Sequence, residues 1–277
     1  VLKMKFINIY KTLDKIAYIQ KKDKADISKS AVVIMCADNG IADSSIAEIA
    51  VKTAGGESEY SRMAKAADAD VFTLNAGIRD KAMSEWLIDR KTADGTENIM
   101  YKPAMSDESM AFAVRSGIEM VKSLKIGDYK IIGASSINSG GNIPMEAVLY
   151  ALTGYNAVSD CAKEIVSKYS FKSVNRILST VGSFEIAAMS GLFLGGVLCD
   201  MPVMIDDDIS AVAAFMAYAI EPKVKNIAVA GCCQSEISRQ IFETMNIEPI
   251  TDIQTERTVE GVSVALAVMK IALAAFK

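Results

Sequence analysis

Short apolar runs rich in β-branched residues recur at 31–36, 70–75, 129–133, 202–205, 226–230 and, more weakly, 248–251, with longer stretches of helical period between them. A run that is apolar at every position marks a strand covered on both faces, and strands alternating with helices predict parallel strands joined by crossover helices. The pattern predicts an α/β chain with an open parallel sheet. Each run ends in polar or glycine-bearing residues: Asp38-Asn39-Gly40, Asn75-Ala76-Gly77, the stretch from Ser135 to Asn142, Asp206-Asp207-Asp208, and Gly231 to Ser235. In open α/β sheets ligands bind outside the carboxyl ends of the strands, so these turns are expected to form one site.

The remaining segments divide by period and charge. Residues 5–20 read as an amphipathic helix followed by the charged linker Lys21-Lys22-Asp23-Lys24, and residues 81–105 read as an irregular excursion. Residues 159–178 read as one helix with Lys172 and Arg176 four apart on a shared face. Two apolar stretches, 186–199 and 262–276, fall short of the roughly 18–20 residues that span a bilayer, and Asp200 and Lys270 interrupt them, so both are expected as buried helices. Gly191, Gly195 and Gly196 in the first read as helix-packing positions. Residues 1–30 are expected to form part of a small helical region and 31–277 the α/β domain, with the last helix able to join the small region.

Composition narrows the function classes. With 277 residues, 51% apolar and 23% charged, the chain can bury a large core and does not resemble a disordered one. A net charge of -4 supplies no basic field, which disfavours nucleic acid as a partner. Five cysteines without a C-x-x-C pair, and no histidine, support neither a disulfide framework nor a zinc site. The first residues lack a signal-peptide pattern, so a cytoplasmic protein with no membrane attachment is expected.

The absence of histidine also constrains the chemistry, since proton transfer near neutral pH then falls to carboxylate, lysine, tyrosine, cysteine or water. Glu260, beside Gly261 at the start of a long apolar helix, is the best candidate base. Two readings of it stay open on spacing: a half-buried base with a raised pKa, or a first-turn charge favoured by the helix dipole. The stretch Gly133-Ala134-Ser135-Ser136-Ile137-Asn138-Ser139-Gly140-Gly141-Asn142 follows a strand and precedes a helix, so its hydroxyls and exposed amides suit a phosphate. It matches neither G-x-G-x-x-G nor a Walker A loop, and a plain crossover loop fits equally well. Gly182-Ser183 at another helix start suits an anion, with Glu185 placed for a ribose hydroxyl; an ordinary capped helix is the alternative. Asp206, Asp207 and Asp208 suit a metal, ribose hydroxyls or helix capping, and capping accounts for one of them.

Several segments, taken in order, resemble the nicotinate-nucleotide:dimethylbenzimidazole phosphoribosyltransferase family of cobamide lower-ligand activation. Val181-Gly-Ser-Phe-Glu-Ile-Ala-Ala188 is similar to the family's V-G-G-F-E-I-A-A, and Pro202-Val-Met-Ile-Asp-Asp-Asp-Ile-Ser210 to its P-V-x-x-D-G-F-I-S. Arg257-Thr-Val-Glu-Gly261 is similar to R-L-G-E-G, Glu248-Pro249 to an E-P pair, and Ala37-Asp-Asn-Gly-Ile41 to A-D-H-G-V. The resemblance runs from about Val32 to the C-terminus. It implies a Rossmann-like open parallel sheet flanked by helices, with a small helical subdomain from the chain ends. It further implies transfer of phosphoribose from nicotinate mononucleotide to an aromatic base of benzimidazole, purine or phenol type, giving an α-ribotide and nicotinate with no metal or other cofactor. In the implied site Glu260 is the catalytic base. Ser135, Ser136, Ser139, Gly140, Gly141, Asn142, Lys172, Gly182, Ser183, Asp206 and Gly261 bind the substrate. A homodimer, or a heterodimer with a homologue, is the implied assembly. The family's phosphate loop G-E-M-G-I carries a glutamate that is Ala134 or Ser135 here, its D-G-F becomes Asp206-Asp207-Asp208, and its G-G becomes Gly182-Ser183. These departures keep two other readings open, a non-catalytic subunit that pairs with an active homologue and an unrelated nucleotide-binding α/β protein.

Overall fold

Six strands, β1 (Ser30–Asp38), β2 (Ala69–Gly77), β3 (Leu87–Asp89), β4 (Ile131–Ser139), β5 (Val203–Ile205) and β6 (Ala228–Ala230), form one sheet in the order β3-β2-β1-β4-β5-β6. Every neighbouring pair is parallel. The computed structural model describes residues 7–255 and 257–275. Strand β1 shows why its sequence is apolar from Ala31 to Ala37. Alternate residues Ala31, Val33, Met35 and Ala37 enter one apolar cluster, while Val32, Ile34 and Cys36 enter another on the opposite face.

Helices cover both faces. On one side lie α4 (Asp107–Ile126), α5 (Asn142–Thr153), α6 (Asp160–Ser167), α7 (Val174–Val181), α8 (Phe184–Cys199), α9 (Asp208–Ile220), the short α10 (Val224–Ile227) and α11 (Glu236–Met245). On the other lie α1 (Ile7–Gln20), α2 (Ala47–Ala54), α3 (Glu59–Ala66) and α12 (Glu260–Ala275). Ile9, Leu13 and Ile16 of α1 share their apolar cluster with Leu266 and Met269 of α12, so the two chain ends meet. Helices α4 and α8 approach as closely as backbones allow: a Cβ on Gly117 would stand 2.0 Å from the Ala188 carbonyl oxygen, and one on Gly191 2.0 Å from that of Val114. The packing role expected of Gly191 holds. Neither apolar stretch spans a membrane, for among the described residues no helix is long and apolar enough to do so.

Five expectations change. Strand β4 continues to Ser139, so most of the expected loop is strand; its small hydroxyl side chains fit the sheet centre, where Ile34 pairs with Ser135 and Asp38 with Ser139. Residues 81–105 contain strand β3, residues 226–227 close α10 before β6 begins, and 248–251 contributes only a bridge from Thr251 to Cys232. Residues 159–178 break into α6 and α7 because Ser173 caps α7, its Oγ accepting the Arg176 amide at 3.3 Å. Lys172 therefore stands in the connecting loop and shares no helical face with Arg176. Lys5 and Phe6 of the expected first helix, Phe276 of the last, and the start read for a signal peptide lie outside the described residues.

Candidate active site

Strands β1 and β4 are neighbours whose connections leave the sheet in opposite directions, which opens a crevice at their carboxyl ends. Beside it, beyond the ends of β4, β5 and β6, lies a cleft of about 590 Å³ lined by Ser136, Asn138, Asn142, Asp207, Asp208, Gln234, Arg257 and Thr258, with Tyr60 of α3 and Glu146 at its walls. Residues at the starts of α5, α9 and α11 line it, as do Arg257 and Thr258 in the turn that leads into α12. Four helix N-termini present four partial positive charges to one space, an arrangement that favours an anion.

The protein itself occupies three of these termini. Asp207 caps α9, its Oδ1 accepting the Ser210 amide at 2.8 Å while Ser210 Oγ accepts the Asp207 amide at 2.8 Å. Ser235 caps α11, accepting the Ile237 amide at 2.9 Å. Asp206 holds the start of α12, accepting the Val259 amide at 2.5 Å and the Val262 amide at 2.8 Å. Helix α5 differs because the residue before it is Gly141, which has no side chain to cap it. Among the described residues no side chain caps the amides of Asn142 and Ile143, and Pro144 after them has no amide to offer. Gly140 makes the preceding turn at φ +73°, and the Gly141 amide donates to Asn138 Oδ1 at 3.0 Å.

The three aspartates do not converge on one point. Asp206 is 0% exposed and also accepts Ser135 Oγ at 2.6 Å. Burial raises its pKa, while the bonds from Ser135, Val262 and Val259 oppose the rise. Asp207 borders the cleft, and burial followed by repulsion from Asp206 pushes it up to about 7. Asp208 donates its amide to Gln234 Oε1 at 3.0 Å, and its Oδ1 is buried without a hydrogen-bond partner among the described residues. Among the described residues no group of three His, Cys, Asp or Glu is placed to hold a metal ion.

Glu260 is partly buried at the first turn of α12, immediately after the cleft residues Arg257 and Thr258. Its carboxylate accepts the Arg257 amide at 3.3 Å, and the Arg257 guanidinium pairs with Glu59 at 2.6 Å. A Cβ on Gly261 would stand 2.4 Å from the Asp206 carbonyl oxygen and 2.5 Å from Cys232 Sγ, so this glycine lets α12 seat against the end of β5. Strand alternation turns Ala134 into the α8 side of the core and Ser135 toward the start of α12. Of the two residues standing for the family's loop glutamate, Ser135 therefore faces the turn that carries Glu260.

Of the other expected site residues, Ser136 and Asn142 line the cleft, while Ser139 is buried with its Oγ 2.7 Å from that of Ser44. Lys172 is exposed and does not line the cleft. Gly182 and Ser183 do not line it either: both are buried, and Ser183 caps α8 by accepting the Ile186 amide at 3.4 Å. The α8 start is closed because residues 184–193 are all buried, a property the apolar sequence of that stretch carries and its cap does not. Glu185 lies one layer behind the cleft floor, where a Cβ on Gly141 would be 3.0 Å from its Oε1. Burial pushes Glu185 up to about 7, with a 2.9 Å bond from Asn39 Nδ2 opposing the rise. Sequence reasoning passed over Asn138, Gln234, Arg257 and Tyr60 as site residues. The first three stood inside motifs already marked, whereas Tyr60 reaches the cleft from a helix with no sequence signal.

Comparison with known proteins gives a consistent result. A phosphoribosyltransferase family profile matches residues 9–164 and 157–277. The nicotinate-nucleotide–dimethylbenzimidazole phosphoribosyltransferase of Acetivibrio thermocellus is 30% identical over 269 residues, covering 87% of this chain and 76% of that protein. The enzyme of the same name from Clostridium perfringens is 30% identical over 256 residues, covering 82% of this chain and 71% of that protein. The crystal structure of CobT from Thermus thermophilus superposes with a TM-score of 0.86 at 20% identity, over 95% of this chain and 88% of that one, a likeness of fold.

Proposed function

The chain belongs to the nicotinate-nucleotide–dimethylbenzimidazole phosphoribosyltransferase family, and from that premise we propose that it transfers phosphoribose from nicotinate mononucleotide to an aromatic base, releasing nicotinate. The observation that carries this reading is the cleft at the sheet's carboxyl edge, with one uncapped helix N-terminus, that of α5, among four. A 5′-phosphate seated on the α5 amides near Asn142 would leave the ribose over the cleft floor, within the ring of polar groups from Ser136, Asn138 and Gln234. Arg257 adds a cation at the same mouth.

In the proposed reaction a ring nitrogen or phenolic oxygen of the acceptor attacks the anomeric carbon as the bond to nicotinate breaks. The attacking group becomes more acidic, and Glu260 takes its proton. Holding both reactants in one cleft supplies the orientation that a bimolecular encounter lacks. Asp207 and Asp208 border the cleft where the family motif has glycine and phenylalanine, which favours an acceptor carrying an N–H or O–H donor.

The test is to mix purified protein with nicotinate mononucleotide and a panel of benzimidazoles, purines and phenols and to follow nicotinate release. Glu260→Gln is expected to lower kcat on the order of 10²–10⁴-fold, and unchanged turnover would remove Glu260 as the base. Turnover only after a homologous subunit is added would identify a heterodimer in place of the proposed self-sufficient chain, and sedimentation would read the assembly directly.

A further inference from the structure

We propose that Ser135 and Asp206 form a latch that holds the turn before α12 in a conformation valine does not adopt unaided, and so sets the Glu260 carboxylate for the reaction. This rests on the reading of Glu260 as the base. The Glu260 amide donates to the Arg257 carbonyl at 3.4 Å, closing a four-residue turn whose third residue is Val259 at φ +69°. A positive φ at that position is the demand of a type II turn, and glycine is the residue that meets it freely. The similar family motif R-L-G-E-G has glycine at this place. Of the non-glycine residues at positive φ among those described, the others are Lys21, Asp68, Asp128, Asp200 and Asn246; Val259 alone is β-branched. Such a backbone persists only where its surroundings over-determine it.

The surroundings do so from two strands. The Val259 amide donates to Asp206 Oδ2 at 2.5 Å and to Ser135 Oγ at 3.1 Å, and Ser135 Oγ donates to Asp206 Oδ2 at 2.6 Å. Asp206 Oδ1 accepts the Val262 amide at 2.8 Å, and Thr258 Oγ1 donates to the Ser136 carbonyl at 2.6 Å. The Val259 side chain is 0% exposed, seated in the apolar cluster with Ile137, Met204 and Val262. Glu260 is the next residue, so any relaxation at Val259 redirects its carboxylate. Ser135 and Asp206 are positioning residues: they touch the turn and do not line the cleft.

A double-mutant cycle on the 277-residue chain tests this. Ser135→Ala is expected to lower kcat on the order of 10²-fold with little change in KM for nicotinate mononucleotide. In a Val259→Gly background, where the backbone needs no latch, the same change is expected to cost less than about tenfold. Equal losses in both backgrounds, or an unchanged kcat in Ser135→Ala, would overturn the proposal. Should Val259→Gly empty too much core to fold, amide hydrogen exchange in Ser135→Ala decides: faster exchange at Val259 supports the latch, and unchanged protection overturns it. Glu260→Gln with wild-type turnover would bring down the base assignment and with it the purpose of the latch, while the exchange measurement would still report whether the latch exists.

Discussion

Asp206, at the end of β5, and Glu185, at the start of α8, are both 0% exposed near the carboxyl edge of the sheet, but the protein surrounds them differently. Asp206 receives two backbone amides and a hydroxyl, with both oxygens engaged. Glu185 receives Asn39 on Oε1, while Oε2 has no hydrogen-bond partner among the described residues. Burial raises both and hydrogen bonds oppose the rise in both, so the difference lies in engagement: Asp206 anchors α12 with both oxygens, whereas one oxygen of Glu185 is left unbonded among the described residues. Depth in the protein does not by itself assign a carboxylate its role.

The largest expected effect tests the anchor. Asp206→Ala leaves the Val259 and Val262 amides and the Ser135 hydroxyl without their acceptor, and is expected to cost roughly 3–5 kcal/mol of stability in denaturant unfolding. A loss below about 1 kcal/mol would place Asp206 and Glu185 in the same class. Glu185 gives the next effect, and its sign depends on pH. The folded chain keeps this proton up to about 7, whereas the unfolded chain releases it near the ordinary value of 4.5, so stability falls as pH rises through that window. Asp207, also pushed up to about 7, and Asp206, raised by burial, add falls of the same sign. Glu185→Gln is expected to leave stability nearly unchanged at low pH and to raise it by roughly 3 kcal/mol above neutrality. Thermal melts across this range check both the flattening and its direction. The smallest effect calibrates the pair against a solvated carboxylate: Glu59, ion-paired with Arg257 at the surface, is expected to contribute less than roughly 1 kcal/mol when changed to Gln, and less still in high salt.

The structure treats the sequence motifs unequally for a related reason. Gly182-Ser183 and the Ser135 to Asn142 stretch had the same local appearance, small and polar beside a helix start. The first is closed because residues 184–193 of α8 are all buried, and the second opens at Asn142 because α5 begins at the rim of the cleft. Lys172 had the spacing of a helical residue until the Ser173 cap placed it in a loop.

The sequence by itself determined the alternation of strands and helices, the burial of β1 on both faces and the family, because element type and motif order are carried by local pattern. It also carried the identity of Glu260 as the candidate base. Only the tertiary structure decided which polar groups meet: Ser135 finds Asp206 from 71 residues away and Val259 from 124, and Asn39 finds Glu185 from 146. A side chain's partners and its distance from water are set by contacts across the chain, and no period or spacing in the sequence records them.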